Sequence, residues 1–169
     1  MLHIVLFEPE IPQNTGNIAR TCAATGTALD LVHPLGFDIS EKAVRHAGLD
    51  YWKDVNITEY ASVEEFLEKN GDKELFFFTT KAHRKYTDIA FPKAGDTYLI
   101  FGKESRGIEE EVLVRYEERC IRIPMINDTR SLNLSNSAAI GAYEYYRQMG
   151  FDGDFRLEGE LHRLKWQEE

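Results

Sequence analysis

Five short apolar segments constrain the fold of this chain more than any other feature. Each is rich in branched or aromatic residues and nearly continuously apolar. Such segments are typical of strands that are buried on both faces of a parallel sheet. They are HIVLF from His3, ALDLV from Ala28, LFFFTT from Leu75, TYLIF from Thr97 and CIRIPM from Cys120.

Helical patterns separate these segments. An alanine-rich stretch covers 17–25, and Ser62 with Glu65 forms a capping box ahead of EEFLEKN. A charged amphipathic stretch covers 109–118, and the longest pattern, 134–149, has apolar residues at helical spacing. The alternation of strands and helices predicts an α/β fold with a mainly parallel sheet flanked by helices. A length of 169 residues suits one domain.

The charge balance restricts the kinds of partner. With 20 basic and 29 acidic residues, the formal net charge is −9. This composition argues against a sequence-blind nucleic-acid binder, which needs many phosphate contacts, although it does not exclude a local basic patch. The two cysteines, Cys22 and Cys120, lie far apart without a Cys-x-x-Cys spacing, and we expect both to be small buried side chains.

The chain lacks the sequence motifs of several classes of enzyme. The chain has no G-x-G-x-x-G after its first strand, no Walker A loop and no G-x-S-x-G. Its five histidines show no metal-ligand spacing, so we expect no metal. The first residues lack a basic segment and a cleavage site, and no apolar run is as long as a membrane span. We therefore expect a cytoplasmic protein without a membrane partner.

In a parallel sheet, ligands bind in the loops at the carboxyl ends of the strands. Four such loops hold most of the unusual residues of the chain. The last of them, RSLNLSNSAAI from Arg130, has two asparagines and three serines where a strand passes into a helix. The other three are EPEIPQNTGNIAR from Glu8, TTKAHRKYTD from Thr79 and FGKESRG from Phe101.

Three of these loops, in order, resemble the three sequence motifs of the SPOUT methyltransferases. The matching segments are NTGNIAR from Asn14, FGKESRG from Phe101 and IRIPMINDTRSLNLSNSAAI from Ile121. The resemblance implies S-adenosylmethionine (AdoMet) as cofactor and a deep trefoil knot in the C-terminal part. It also implies a homodimer in which both subunits build each active site.

The flanks MLHIVLFEPEIPQNTGNIAR and HPLGFDISEKAVRHAGLDYW are similar to one branch of this family. Members of that branch are a single methyltransferase domain, here 1–169, without an appended RNA-binding domain. Their substrate is tRNA, recognised through the anticodon stem-loop, and they methylate the ribose 2′-hydroxyl of the wobble nucleotide, a cytidine or modified uridine, in leucine tRNAs. Two alternatives stay open: 2′-O-methylation at another tRNA or rRNA position, and a non-catalytic AdoMet-binding protein associated with RNA.

The resemblance implies a set of cofactor-binding residues that act mostly through their backbone amides and carbonyls. Gly102 fits this role physically, because a residue without Cβ lets a ligand approach the backbone. The full set is Phe78, Thr79, Gly102, Ile123, Met125, Ser131 and Leu132.

It also implies five catalytic residues: Asn14, Arg20, Glu104, Ser131 and Asn133. Because arginine stays protonated in proteins, our hypothesis is that Arg20 orients the substrate phosphate and stabilises the developing alkoxide. The proton would then leave to water or to a transiently neutral guanidine. Glu104 could accept hydrogen bonds from loop amides or from Arg20 or Arg106. Asn14 could cap a helix that begins near residue 17.

RNA contacts are expected from Arg20 and from a basic face formed by Lys42, Arg45 and His46. A second candidate face consists of Lys81, His83, Arg84 and Lys85. In the last motif, Ser131 and Leu132 would border the cofactor and Asn133 the ribose, whereas Ser135, Asn136 and Ser137 would cap the final helix. On this interpretation, Asn133→Ala should lose activity with little loss of fold.

Overall fold

The computed structural model describes residues 1–40, 51–127 and 131–157. Six strands form one sheet in the order β3-β2-β1-β5-β4-β6, and all of the pairs are parallel. The strands are β1 Leu2–Phe7, β2 Ala28–Val32, β3 Ile57–Tyr60, β4 Glu74–Phe78, β5 Thr97–Gly102 and β6 Cys120–Ile121.

Among the described residues, three α-helices connect strands and a fourth follows β6. They are α1 Pro12–Thr25, α2 Val63–Asn70, α3 Glu110–Arg115 and α4 Leu134–Gln148. The start of α2 keeps half of the expected capping box: the Glu65 amide donates to Ser62 Oγ at 3.2 Å. The Glu65 carboxylate, however, accepts from the Ala61 amide and not from the amide of Ser62.

The sheet is covered on both faces, as the continuously apolar strands predict. Side chains that alternate along β1 enter different cores. Ile4 packs with Ile18 of α1 and Ala142 of α4, whereas Val5 belongs to the core that contains Phe66 of α2. The prediction of a mainly parallel sheet flanked by helices is confirmed. Cys22 and Cys120, named above, are free and buried, also as expected.

The structure differs from the sequence prediction in one missed strand and in several boundaries, among them helix α3, which is shorter than the predicted 109–118. The four-residue strand β3 was not predicted, because Thr58 and Glu59 are exposed at the edge of the sheet and give no apolar run. Strand β6 has two residues and not six, and Pro124, which has no amide hydrogen to donate, follows soon after it. Helix α1 begins at Pro12, five residues earlier than expected, since proline suits the first helical position.

The end of the described chain packs on α4. The Phe155 ring lies 4.8 Å from the ring of Tyr146 and 5.3 Å from that of Phe151. In the described residues, no helix has the length and apolar character needed to cross a membrane.

Candidate functional site

A cavity of about 410 Å³ lies at the carboxyl ends of β5, β4 and β6, next to the start of α1. Its volume falls in the range of small-molecule sites. All four loops that the sequence singled out contribute to it, together with the start of α4. Its lining includes every predicted cofactor-binding residue and four of the five predicted catalytic residues: Phe78, Thr79, Gly102, Ile123, Met125, Ser131, Leu132, Asn14, Glu104 and Asn133.

Aromatic rings form part of the cavity wall. The Phe78 ring, 8% exposed, stacks on Phe101 with 4.5 Å between ring centres. Helix α4 leaves room for both rings at Gly141, where an added Cβ would lie 2.9 Å from Phe78 Cζ and 3.2 Å from Phe101 Cζ. The phenylalanine at position 78 is therefore accommodated by a glycine on the facing helix.

Gly102 is glycine for a reason that the sequence did not reveal. Its φ is +123°, and a Cβ built there would lie 2.2 Å from the carbonyl oxygen of Phe7 in the neighbouring strand β1. Real Cβ atoms do not approach a backbone oxygen so closely. The residue lines the cavity as expected, but the close approach of β1 requires a glycine here even without a ligand.

A chain of side-chain hydrogen bonds links three loops at the cavity. Asn133 Nδ2 donates to Asn14 Oδ1 at 3.0 Å, and Asn14 Nδ2 donates to Glu104 Oε1 at 3.2 Å. Glu104 also accepts from the backbone amides of Glu10 at 2.9 Å and Ile11 at 3.2 Å. The carboxylate thus holds the start of α1, where partial positive charge from the amides favours an anion. Each loop contributes one member to this chain of contacts.

These contacts show whether Asn14 caps a helix and which groups bind the Glu104 carboxylate. Asn14 is not a helix cap, since α1 begins at Pro12 and Asn14 lies inside its first turn, 6% exposed. The loop amides expected for Glu104 are its partners, whereas no ion pair with Arg20 or Arg106 is present among the described residues.

The cap of α4 also differs from expectation. Asn133 is the N-cap, and its Oδ1 accepts from the amides of Ser135 at 2.9 Å and Asn136 at 3.3 Å, and from Ser135 Oγ at 2.6 Å. The prediction that Ser135, Asn136 and Ser137 cap this helix is therefore wrong, because all three lie within its first turn. The side-chain oxygen of Asn133 thus already accepts hydrogen bonds from its own helix.

This geometry changes the result expected for Asn133→Ala. Loss of the cap should lower the free energy of unfolding by about 1 kcal/mol, in addition to releasing Asn14 and reducing activity. Asn133→Asp is the matched control, since it keeps the capping oxygen but loses the donor to Asn14. We expect it to retain most of the stability and to lose activity. Urea unfolding and turnover measured on both variants test this, and an unchanged unfolding midpoint for Asn133→Ala would contradict it.

Arg20 lies apart from the other predicted catalytic residues of its own chain. It is exposed on α1 and is not part of the cavity lining, and its guanidinium lies 5.3 Å from the ring centre of Tyr51. Because six residues separate it from Asn14, it points to a different side of the helix, about 240° around the axis.

The two expected RNA-contacting faces have different outcomes. Lys42, Arg45 and His46 lie outside the described residues. In the second face, three of the four basic residues pair with acids, so this surface has little net positive charge. The pairs are Lys81 with Glu110 at 2.7 Å, Arg84 with Glu118 at 3.4 Å and Lys85 with Asp88 at 3.4 Å.

The sequence did not predict that two acidic residues, Glu8 and Glu10, fix the loop 103–107. Lys103 pairs with Glu8 of the loop after β1, and Ser105 donates from its amide and from Oγ to the Glu10 carboxylate, each at 2.8 Å. The hydrogen bonds from Ser105 lower the pKa of Glu10, with smaller contributions from nearby basic groups. The two glutamates of EPEI, next to a loop that contains Lys103, were the sequence feature that could have predicted these contacts. Within the described residues, no group of three or more His, Cys, Asp or Glu side chains could hold a metal ion.

Comparison with known proteins identifies the family. The model of the SpoU rRNA Methylase family matches residues 1–143, which include all three motifs. The chain belongs to this family. The resemblance that the three loops indicated is therefore confirmed.

Proteins that are similar to the chain include a tRNA (cytidine(34)-2′-O)-methyltransferase of Photorhabdus asymbiotica. The two are 48% identical over 159 residues, which cover 90% of this chain and 97% of the relative. A solved structure concerned with 2-OH methylation of C/U34 on tRNA superposes with a TM-score of 0.81 at 44% identity, covering 89% of this chain and 97% of its own.

A more distant solved structure is that of an AdoMet-bound rRNA methyltransferase from Sinorhizobium meliloti. It has a TM-score of 0.74 and 25% identity, and the match covers 88% of this chain and 56% of that protein. The part that the two proteins share is therefore the fold of this chain, which corresponds to about half of the other protein.

Proposed function

We propose that this chain is an AdoMet-dependent tRNA 2′-O-methyltransferase that acts on the ribose of nucleotide 34, a cytidine or modified uridine in leucine tRNAs. The observation that carries the proposal is the convergence of the three motif loops on one cavity. Relatives that match nearly the full length of the chain are named for this activity, which favours nucleotide 34 over another tRNA or rRNA position.

The cavity suits AdoMet in size and in the chemistry of its lining. Stacked rings of Phe78 and Phe101, together with Ile123, provide an apolar wall for a purine. The backbone of Gly102, together with Ser131, offers polar groups beside it. When bound, the cofactor supplies an electrophilic methyl group on a sulfonium ion. We propose that the residues of the predicted set hold it: Phe78, Thr79, Gly102, Ile123, Met125, Ser131 and Leu132.

The chain's own residues position the ribose and stabilise charge. Glu104 and Asn133 hold Asn14 from two sides, so we assign both as positioning residues for the Asn14 amide at the cavity. Placement of the reacting groups in line accounts for a large part of a rate enhancement. In this proposal Arg20 orients a phosphate and stabilises the developing alkoxide with its fixed charge, while the proton leaves to water.

The position of Arg20 supports a dimeric site. Since Arg20 does not line the cavity of its own chain, we propose that the Arg20 of a second copy reaches this cavity in a homodimer. The proposal includes the C-terminal trefoil knot typical of the family, a single domain without an RNA-binding extension, and action on tRNA in the cytoplasm. The mass in solution should be twice that of the 19.5 kDa chain, as light scattering coupled to gel filtration can measure.

The activity is tested with purified protein, methyl-labelled AdoMet and bulk tRNA from cells that lack this methylation. Nuclease digestion and mass spectrometry then locate the methyl group. We expect one methyl group on the ribose of nucleotide 34 in leucine tRNAs. A methyl group on a base, or on a ribose elsewhere, would overturn the assignment. Binding of AdoMet without any transfer would favour the non-catalytic alternative.

A further inference from the structure

The loop 103–107 at the mouth of the cavity is fixed by nearly all of its polar groups. Lys103 pairs with Glu8 and lies 3.8 Å from Glu109. Glu104 is bound to the start of α1, and Ser105 to Glu10. The Gly107 amide donates to the Lys103 carbonyl at 2.8 Å and closes the turn. The backbone that presents residue 106 is therefore well anchored.

Arg106 is the exception in this loop. Its side chain is exposed and lines the cavity, and it makes no ion pair or hydrogen bond with any residue that the structure describes. The other cations that line the cavity are matched, Lys81 by Glu110 and Lys103 by Glu8. Of the cations that line the cavity, Arg106 is thus the one without a salt bridge in the described part of the chain, although its charge lies near enough to Glu10 to contribute to the lowered pKa of that carboxylate.

We propose that Arg106 binds a backbone phosphate of the RNA next to the nucleotide whose ribose enters the cavity. This inference rests on the proposed function, and it assigns a substrate-positioning role to a residue outside the predicted set. A phosphodiester group adjoins every ribose 2′-hydroxyl, so a contact to it fixes the hydroxyl relative to the cavity. The planar guanidinium can donate two parallel hydrogen bonds to a phosphate.

Two observations favour the RNA phosphate over the carboxylate of the cofactor. Arg106 is exposed at the mouth, where a macromolecule must approach, whereas the apolar wall at Phe78 lies inside. The chain as a whole has a net charge of −9, which by itself disfavours contact with RNA. A substrate phosphate must therefore be met by a local cation that is not engaged in a salt bridge, and the anchored loop holds Arg106 in such a position.

The test compares three variants in direct binding. Arg106→Ala removes the charge, Arg106→Lys keeps the charge without the fork, and Arg115→Ala is the matched control, because Arg115 is an exposed arginine on α3 outside the cavity. Fluorescence anisotropy with a labelled anticodon stem-loop RNA gives the Kd at several salt concentrations. Calorimetry with S-adenosylhomocysteine gives the affinity for the cofactor product. Direct binding needs no turnover, so it is independent of whether the proposed methylation is found.

For Arg106→Ala we expect RNA binding to weaken about tenfold or more. The slope of log Kd against log salt should fall by about 0.7 to 1, as for the loss of one phosphate contact. Arg106→Lys should recover part of the affinity, Arg115→Ala should match the wild type, and all should bind S-adenosylhomocysteine equally. Unchanged RNA binding by Arg106→Ala would overturn the proposal. So would a loss confined to S-adenosylhomocysteine, which would assign the arginine to the cofactor carboxylate.

Discussion

Arg20→Ala should lower turnover by about 100- to 1,000-fold, the effect of removing one group that stabilises a developing oxyanion. The free energy of unfolding should change by less than about 1 kcal/mol, because the side chain is exposed and packs on the ring of Tyr51. Single-turnover methylation and urea unfolding measure the two quantities. Arg20→Lys is the matched variant, and near-normal turnover with lysine would contradict a role for the guanidinium fork.

Mixed dimers test where this arginine acts. Ser131 is exposed and lines the cavity, so Ser131→Tyr should block the cavity of its own subunit without disturbing the core. If Arg20 acts across the dimer, refolding an equal mixture of Arg20→Ala and Ser131→Tyr chains restores one complete site in each mixed dimer. About a quarter of wild-type activity is then expected. If Arg20 acts within its own chain, the mixture stays as inactive as the separate variants.

Gly102→Ala should lower the free energy of unfolding more than any other substitution discussed, by about 3 to 5 kcal/mol, or prevent folding. The residue has a φ of +123°, at which an L side chain is strained by about 1 to 3 kcal/mol. The new Cβ would also lie 2.2 Å from the Phe7 carbonyl oxygen, so strands β1 and β5 would have to separate within the core.

Gly95→Ala is the control for this substitution. Gly95 also has a positive φ, +84°, but no atom lies within 4 Å of its added Cβ. It should therefore show the conformational strain alone, about 1 kcal/mol. Urea unfolding of both variants separates the cost of backbone strain from the cost of the contact between the new Cβ and Phe7. Equal destabilisation of the two would show that β1 does not require the glycine at position 102.

The fold and the position of the site were largely predictable, because both depend on local patterns. Continuous apolar runs such as TYLIF identify buried strands, and the carboxyl ends of parallel strands meet at one edge. The loops after β1, β4, β5 and β6 were therefore expected to converge, and they do. The start of α1 could have been placed correctly as well, since Pro12 is a signal for the first helical position.

Contacts between distant loops were not predictable from such patterns. The hydrogen bond from Asn133 to Asn14 joins residues 119 positions apart, and no local spacing encodes it. The same applies to Gly102, whose constraint comes from the carbonyl of Phe7 in another strand. The separation of Arg20 from Asn14 could have been predicted, because a side chain six residues further along a helix points in a different direction.

The most direct test of the central claim is methyl transfer to two anticodon stem-loop RNAs that differ by one oxygen atom. One has the ribose hydroxyl at nucleotide 34, and the other has 2′-deoxyribose at that position. With labelled AdoMet, we expect one methyl group per RNA on the first and none on the second. Equal labelling of both RNAs would place the methyl group elsewhere and contradict 2′-O-methylation of nucleotide 34.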